Sequence, residues 1–392
     1  MATSVYKTIL DSDKASTKTL LHEFIPITGT LVSGTYGGNT VALGSEPNVQ
    51  AFSHGMFQSV YDYPYLSSSA NHIMDVSVGF SPDSVLSGSP AQAQCKGLGG
   101  SSTHADCNAF LQDKKLNMYT QMAQVLQGYD SSNAIARFDE DGDLSGTGGT
   151  KLHECIFVSL TRLLTKDEIK KGSFSMDINA TSNRAGQTEV VRINDTGAAT
   201  DFFNASSGEY GVLYASNIGG TPITSGPKKV GLIYYQAGVL VLSSSLFQAM
   251  NLTNNPGILK NGLNPQYGAP GIAKIPPTVT FRDLLTGSNV EHAANFFRSR
   301  MLKMSFNNTT ELNSMVYFCR AKHNEFNYSG NRTYLNDSKI RVKNQAQDLP
   351  RSYITTVGLY SANNELMAVA KLSEPIRKDP TNEVTLRVRL DY

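Results

Sequence analysis

The sequence predicts a mainly β protein with a few short helices, an α+β chain in which several β-rich modules are joined by long loops. Three observations carry that expectation. Charged residues make up 17% of the chain against ~25% in an average soluble domain, and Gly (33 residues), Ser, Thr and Asn fill the difference. Those residue types favour turns and polar strand faces over helices. Apolar residues recur at every second position in several short stretches, which is the strand period, whereas helical three- and four-residue spacing is confined to a few places. At 392 residues, with roughly 100–200 residues per domain, the chain has length for two or three cores. Loops and composition shifts divide it into an N-terminal β and loop domain at 1–110, an α+β domain at 111–250 and a C-terminal β-rich docking domain at 251–392.

In the first domain short apolar patches alternate with polar turns, at Leu20 to Ile27, Thr40 to Leu43 and Ala51 to Tyr65. Met74, Val76, Val78 and Phe80 then alternate on one face, the pattern of a half-buried strand. Ser81 to Ser102, rich in Ser, Gly, Pro and Gln, reads as a surface loop or linker. The clearest helix covers Lys114 to Gly128. Its apolar stripe is Leu116, Tyr119, Met122, Ala123, Val125 and Leu126, and Gly128 suits the position just past its end.

Cys155 to Leu164 is an apolar run typical of a buried strand, and Thr165 and Glu168 after it have capping-box spacing, which predicts a helical turn at Asp167 to Lys171. Phe174 to Ile178 resumes strand alternation. Ser182 to Ser225 is polar and Gly-rich with an apolar island at Val212 to Ala215, and Val230 to Leu242 reads as two strands turning near Gln236 to Gly238. Five prolines between Asn251 and Pro277 forbid long regular structure there. A second helix is expected at Val290 to Arg300. The C-terminal part is strongly β: a strand at Met315 to Cys319, a hairpin of Tyr353 to Tyr360 and Leu366 to Leu372 around a turn at Ser361 to Asn364, and a final strand alternating Val384, Leu386, Val388 and Leu390.

Lys and Arg (34) nearly cancel Asp and Glu (33), so nothing is built to hold polyanions, and no nucleic-acid partner is expected. The nearest approach to a basic stripe, Arg298 to Lys303, is expected to complement a helix end or meet an acidic neighbour. The N-terminus lacks a secretory signal and the longest apolar run, Val230 to Leu242, is too short to cross ~30 Å of hydrocarbon, so a soluble chain made in a cytosol, with no membrane insertion, is expected. Cys95, Cys107, Cys155 and Cys319 form no C-x-x-C pair and are expected to be plain thiols in a reducing compartment.

A phosphate-binding loop, a nucleophile elbow and a zinc-protease motif are all missing, and the seven histidines are scattered. No cofactor and no catalytic residues are expected. One acidic cluster resembles a cation loop: Asp139, Asp141, Asp143 and Ser145 occupy positions 1, 3, 5 and 7 of an EF-hand pattern. Leu144 then stands where Gly is required and Thr150 where the bidentate Glu belongs, so the trio Asp139, Asp141 and Asp143 is a weak metal candidate and reads first as a solvated acidic turn. Asp139, Asp141 and Glu154 are the clustered carboxylates that a glycan-cleaving enzyme would use.

Three C-terminal segments carry a resemblance: Tyr317 to Ser329 (YFCRAKHNEFNYS), Tyr353 to Tyr360 (YITTVGLY) and Glu365 to Pro375 (ELMAVAKLSEP). They resemble a family of virion structural proteins from T4-like marine and cyanobacterial phages with contractile tails, and Tyr61 to Ile73 and Leu164 to Gly172 resemble the same family. The resemblance implies a non-enzymatic tail baseplate subunit, present in several copies in a symmetric assembly, contacting other virion proteins and located in the virion after synthesis in the host cytoplasm. A neck or head–tail junction protein, or a receptor-binding adhesin or tail-fibre attachment protein with exposed aromatics in the loops at 182–225 or 251–277, is the alternative. A surface with few charges is easily desolvated against neighbours, so the isolated subunit is expected to be poorly soluble or to self-associate.

Overall fold

The computed structural model describes residues 6–32, 48–62, 71–87, 109–142, 150–179, 190–200, 202–218, 221–222, 228–247, 285, 290–329, 331–336 and 339–392. The protein is mainly β with few helices, as its sequence indicates. It forms two compact units, unit 1 from residues 1–21 with 311–392 and unit 2 from residues 22–310.

The chain begins with strand β1 (Lys14–Thr28) and helix α1 (Gly29–Val32), followed by β2 (Val49–Ala51), β3 (Gln58–Tyr61), β4 (His72–Phe80) and helix α2 (Ala109–Leu126). Next come β5 (Glu154–Leu160), the one-turn helix α3 (Arg162–Thr165), β6 (Glu168–Ile169), β7 (Ser175–Asn179), β8 (Val190–Asn194), β9 (Phe202–Ala205), β10 (Gly208–Ile218), β11 (Thr221–Pro222), β12 (Lys228–Tyr234) and β13 (Val239–Ser243). Helix α4 (Val290–Arg300) leads directly into β14 (Met301–Ala321), and β15 (Leu335–Asn336), β16 (Lys339–Ile340), β17 (Ser352–Tyr360), β18 (Leu366–Lys378) and β19 (Val384–Asp391) complete the chain. The chain passes from one unit to the other within β1 and again within β14.

Unit 2 is organised on one antiparallel sheet in the order β14, β7, β8, β10, β12, β13, β5, β4, β3, β2. Of the three domains expected from sequence, 1–110 and 111–250 thus contribute adjacent strands to one sheet, because β4 pairs with β5 along its length, and 251–392 is divided between the two units. The β12–β13 hairpin forms where expected and pairs onward with β5 through Leu240 opposite Val158 and Leu242 opposite Ile156.

The central strands are covered on both faces. One face carries Met74, Val76, Val78, Phe80, Ile156, Val158 and Leu240, all buried with Ala293, Ala294 and Phe297 of α4. The other carries Phe157, Val241, Leu232 and Tyr234, buried with Tyr119, Ala123 and Leu126 of α2. β4 is therefore buried on both sides rather than half-buried as its alternation suggested, because α2 lies against its second face at Gly79. A side chain there has no room: a Cβ on Gly79 would sit 2.7 Å from the Lys115 carbonyl oxygen and 2.9 Å from the Tyr119 nitrogen.

Helix α2 forms where expected but begins five residues earlier, at Ala109 rather than Lys114, and Gly128 takes the left-handed conformation past its end (φ +86°), its N–H donating to the Ala123 carbonyl. The buried stripe differs from the expected one. Val125 is 67% exposed, while Lys115, one turn before Tyr119, is 1% exposed and donates through Nζ to the Leu285 carbonyl.

The helical turn expected at Asp167 to Lys171 is displaced to α3, and Glu168–Ile169 is a strand instead. Thr165 bonds back to the Thr161 carbonyl rather than capping. The N–H groups of Asp167, Ile169 and Lys170 are taken by the carbonyls of Thr309, Tyr235 and Asn307, and these sheet-type bonds outweigh the local capping preference. Arg298, expected to complement a helix end or meet an acidic neighbour, lies in the last turn of α4; it is fully buried and donates to Gln58 Oε1 (3.1 Å), the Val32 carbonyl (2.9 Å) and Asn295 Oδ1 (2.5 Å). The proline-rich stretch at 251–277, Cys95 and Cys107 lie outside the described residues. Cys155 and Cys319 are free thiols, and burial pushes both thiol pKa values up. No helix among the described residues is long and apolar enough to cross a membrane.

Burial lowers the Lys115 pKa to about 8. A folded pKa below the unfolded value means that the cost of enclosing the charge is carried in full below pH 8, and it fades as pH rises towards the unfolded value near ~10.4. Replacing Lys115 by Met should therefore change stability in a pH-dependent way. In denaturant titrations the wild-type protein is expected to gain on Lys115→Met by about 3 kcal/mol at most between pH 8 and 10; a pH-independent difference between the two would contradict the burial cost.

Candidate interaction surface

Unit 1 contains the C-terminal half of β14 paired with β19 and a separate two-stranded ribbon, β17–β18. The β14–β19 register, from Ser314 opposite Asp391 to Ala321 opposite Val384, brings Met315, Tyr317 and Cys319 to one face with Leu390, Val388 and Leu386. The opposite face carries Arg320, Arg387 and Arg389, with Arg320 paired to Asp13 (3.0 Å) and Arg389 to Asp391 (2.7 Å).

The ribbon is the hairpin expected from sequence. Its base is tied down by Lys378, which is fully buried and donates to Asn327 Oδ1 (2.8 Å), the Asp379 carbonyl (3.0 Å) and the His323 carbonyl (3.3 Å). Three oxygens satisfy the three ammonium protons, and Asn327 in turn donates to the His323 carbonyl. Ser352, across from Lys378 in the ribbon register, bonds the Phe326 carbonyl. Asp379 follows as a turn anchor: hydrogen bonds from Thr381, then the Arg377 charge, hold its carboxyl below the ordinary range.

Beyond the base one face of the ribbon is exposed, while Leu359 on the other face is buried. Neither strand pairs with a third among the described residues, and Tyr353, Tyr360, Leu366, Met367 and Val369 are all exposed. The register sets Val369 opposite Gly358 and Lys371 opposite Thr356 on one face. Gly358 provides a floor there: Tyr360 and Leu366 lean across it, close enough that a Cβ would meet their rings and methyls at 3.0 and 3.3 Å. The Tyr6 ring lies 4.9 Å from Tyr360. The tip therefore presents Tyr360, Leu366, Met367 and Val369 as an apolar patch beside the Lys371 charge. A two-stranded ribbon is marginal alone in water, and the exposed apolar side chains on this one make it the candidate contact surface of unit 1. Along β1, the edge strand beside β14, Leu20 and Leu21 are exposed as well.

The acidic cluster does not assemble a cation site among the described residues. Asp139 is 1% exposed and pairs with Lys151, and its Oδ1 accepts the Asp141 N–H. Burial is the main cause of a raised Asp139 pKa, opposed by the Lys151 hydrogen bond. The turn is closed by Glu140 N–H to the Thr150 carbonyl and by Leu152 N–H to the Phe138 carbonyl. Asp143 lies outside the described residues, and no group of three His, Cys, Asp or Glu side chains able to hold a metal occurs among those described. Glu154 is buried and engaged by Ser84 (2.7 Å) and Ser244 (3.2 Å).

No protein-family model, no curated protein and no solved structure matches this chain.

The Lys378 anchor makes a local prediction. Lys378→Met leaves Asn327 Oδ1 and the Asp379 carbonyl without the Lys378 donor in a buried place, while the His323 carbonyl keeps its bond from Asn327, at a cost of about 1–3 kcal/mol. Hydrogen exchange is expected to quicken at 322–328 and at the ribbon base while unit 2 keeps its protection; unchanged exchange at the base would mean that Lys378 does not hold the ribbon.

Proposed function

We propose that this chain is a non-enzymatic structural subunit of a contractile-tailed bacteriophage virion, a tail baseplate component that connects neighbouring virion proteins during assembly and infection. The observation that supports the reading is the β17–β18 ribbon, anchored at its base and apolar and uncovered at its tip. The segments Tyr353 to Tyr360 and Glu365 to Pro375, which resemble phage virion proteins, build this ribbon. A ribbon of this kind stabilises an assembly by adding strands to, or laying apolar side chains on, a neighbouring subunit. The buried ammonium at its base fixes where the tip points, so that docking does not first have to order the hairpin.

Peptide mass spectrometry of purified virions, with electron microscopy to locate the chain, tests the reading. The protein is expected in intact particles at a fixed copy number, in the tail. Its absence from particles that are otherwise complete would overturn the proposal, and its presence in the head alone would overturn the baseplate assignment.

A further inference from the structure

We propose that the ribbon tip of one copy docks on the C-terminal end of helix α2 and the turn after it in a second copy, so that copies associate through unlike surfaces. This rests on the reading of the ribbon as a docking element and adds its occupant.

The first argument is charge. Unit 1 carries fifteen Lys and Arg against eleven Asp and Glu, a net of plus four, and unit 2 carries nineteen against twenty-two, a net of minus three. Two ribbons meeting face to face would bring two positive units together. A ribbon meeting unit 2 brings opposite signs together, and complementary charge selects partner and orientation even where apolar contact supplies most of the affinity.

The second argument is a matching patch. The outer side of α2 in unit 2 exposes Val125 (67%), and Tyr129, four residues on, is 57% exposed, with its hydroxyl fixed by Gln124 Nε2 at 2.7 Å. Asp130 beside them accepts hydrogen bonds from Ser132 and Ala134, which hold its pKa low and keep it charged. Val125 near the end of α2, with Tyr129 and the Asp130 carboxylate in the turn that follows it, complements Leu366, Val369 and Tyr360 with the Lys371 ammonium on the ribbon. Because donor and acceptor surfaces differ, the contact is heterologous and repeats into a ring or an open chain rather than stopping at a two-fold dimer.

Sedimentation velocity on the full chain tests this with two variants, one damaged on the ribbon (Leu366→Ser with Val369→Ser) and one on the acceptor (Val125→Ser). All three positions are exposed, and an unchanged thermal midpoint verifies that each variant folds. Wild-type protein is expected to form species of three or more copies, weakened several-fold by raising salt. Each variant alone is expected to be monomeric, and their mixture to give a dimer and nothing larger, because it contains one intact ribbon and one intact acceptor. Wild-type protein that stays monomeric at about 100 μM, where a micromolar contact is saturated, would overturn the proposal. So would an acceptor variant that associates as wild type does, or a mixture that does not dimerise. Any of these results with the protein present in virions would leave the structural-subunit reading standing; absence from virions would remove that reading independently.

Discussion

The structure of unit 2 depends on the burial of its central strands from both sides. β5, β12 and β13 place apolar side chains in the cluster with α4 on one face and in the cluster with α2 on the other, while β4 is apolar towards α4 only and carries Ser77 and Gly79 on the side of α2. Removing apolar area from water contributes roughly 25 cal/mol per Å², and strands enclosed twice gain it along both rows of side chains. The same arrangement imposes its own constraint. A helix lying directly on a strand needs a gap in the side-chain row, and Gly79 supplies it where the α2 backbone approaches most closely.

Inside this apolar frame a few polar groups are held in fixed places. Arg298 joins α4 to β3 and α1 through Gln58 and the Val32 carbonyl, and Asp195 accepts the N–H groups of Gly172 (2.7 Å) and Phe174 (3.1 Å) and the Tyr235 hydroxyl (3.2 Å). A buried polar group is costly unless its partners are all in place, so such a group penalises alternative packings more than it stabilises the native one. In unit 1 Lys378 has the same character at the ribbon base. Two helix faces and one hairpin are thereby set in register by groups that an apolar core would leave free to slide.

Elements with strong local signals were legible in the sequence. The β12–β13 and β17–β18 hairpins, β19 and the two longer helices follow from period and turn chemistry within ten or twenty residues. What was hidden depended on partners far away in the chain. β14 runs for twenty-one residues, and its pattern mixes two faces because different neighbours cover it along its length, β7 and β6 first and β19 later. The burial of Lys115, Arg298 and Lys378 runs against the usual exposure of charge, and each depends on at least one distant acceptor, Leu285 for Lys115, Gln58 and Val32 for Arg298, and Asn327 and His323 for Lys378. Of the candidate surface, the ribbon was visible as a hairpin. Its uncovered apolar tip was not, since alternation reports which residues share a face and not whether anything covers that face.

The composition of unit 1 from residues 1–21 and 311–392 sets an order of events in synthesis. As the chain leaves the ribosome, the 22–310 segment emerges with all of its own strands and helices, while the first strand has no partner until β14 and β19 have been made. Closing that long loop is entropically slow relative to forming local hairpins. The surface that carries the ribbon is therefore the last to mature. A chain that stops short of β18 and β19 cannot present the ribbon.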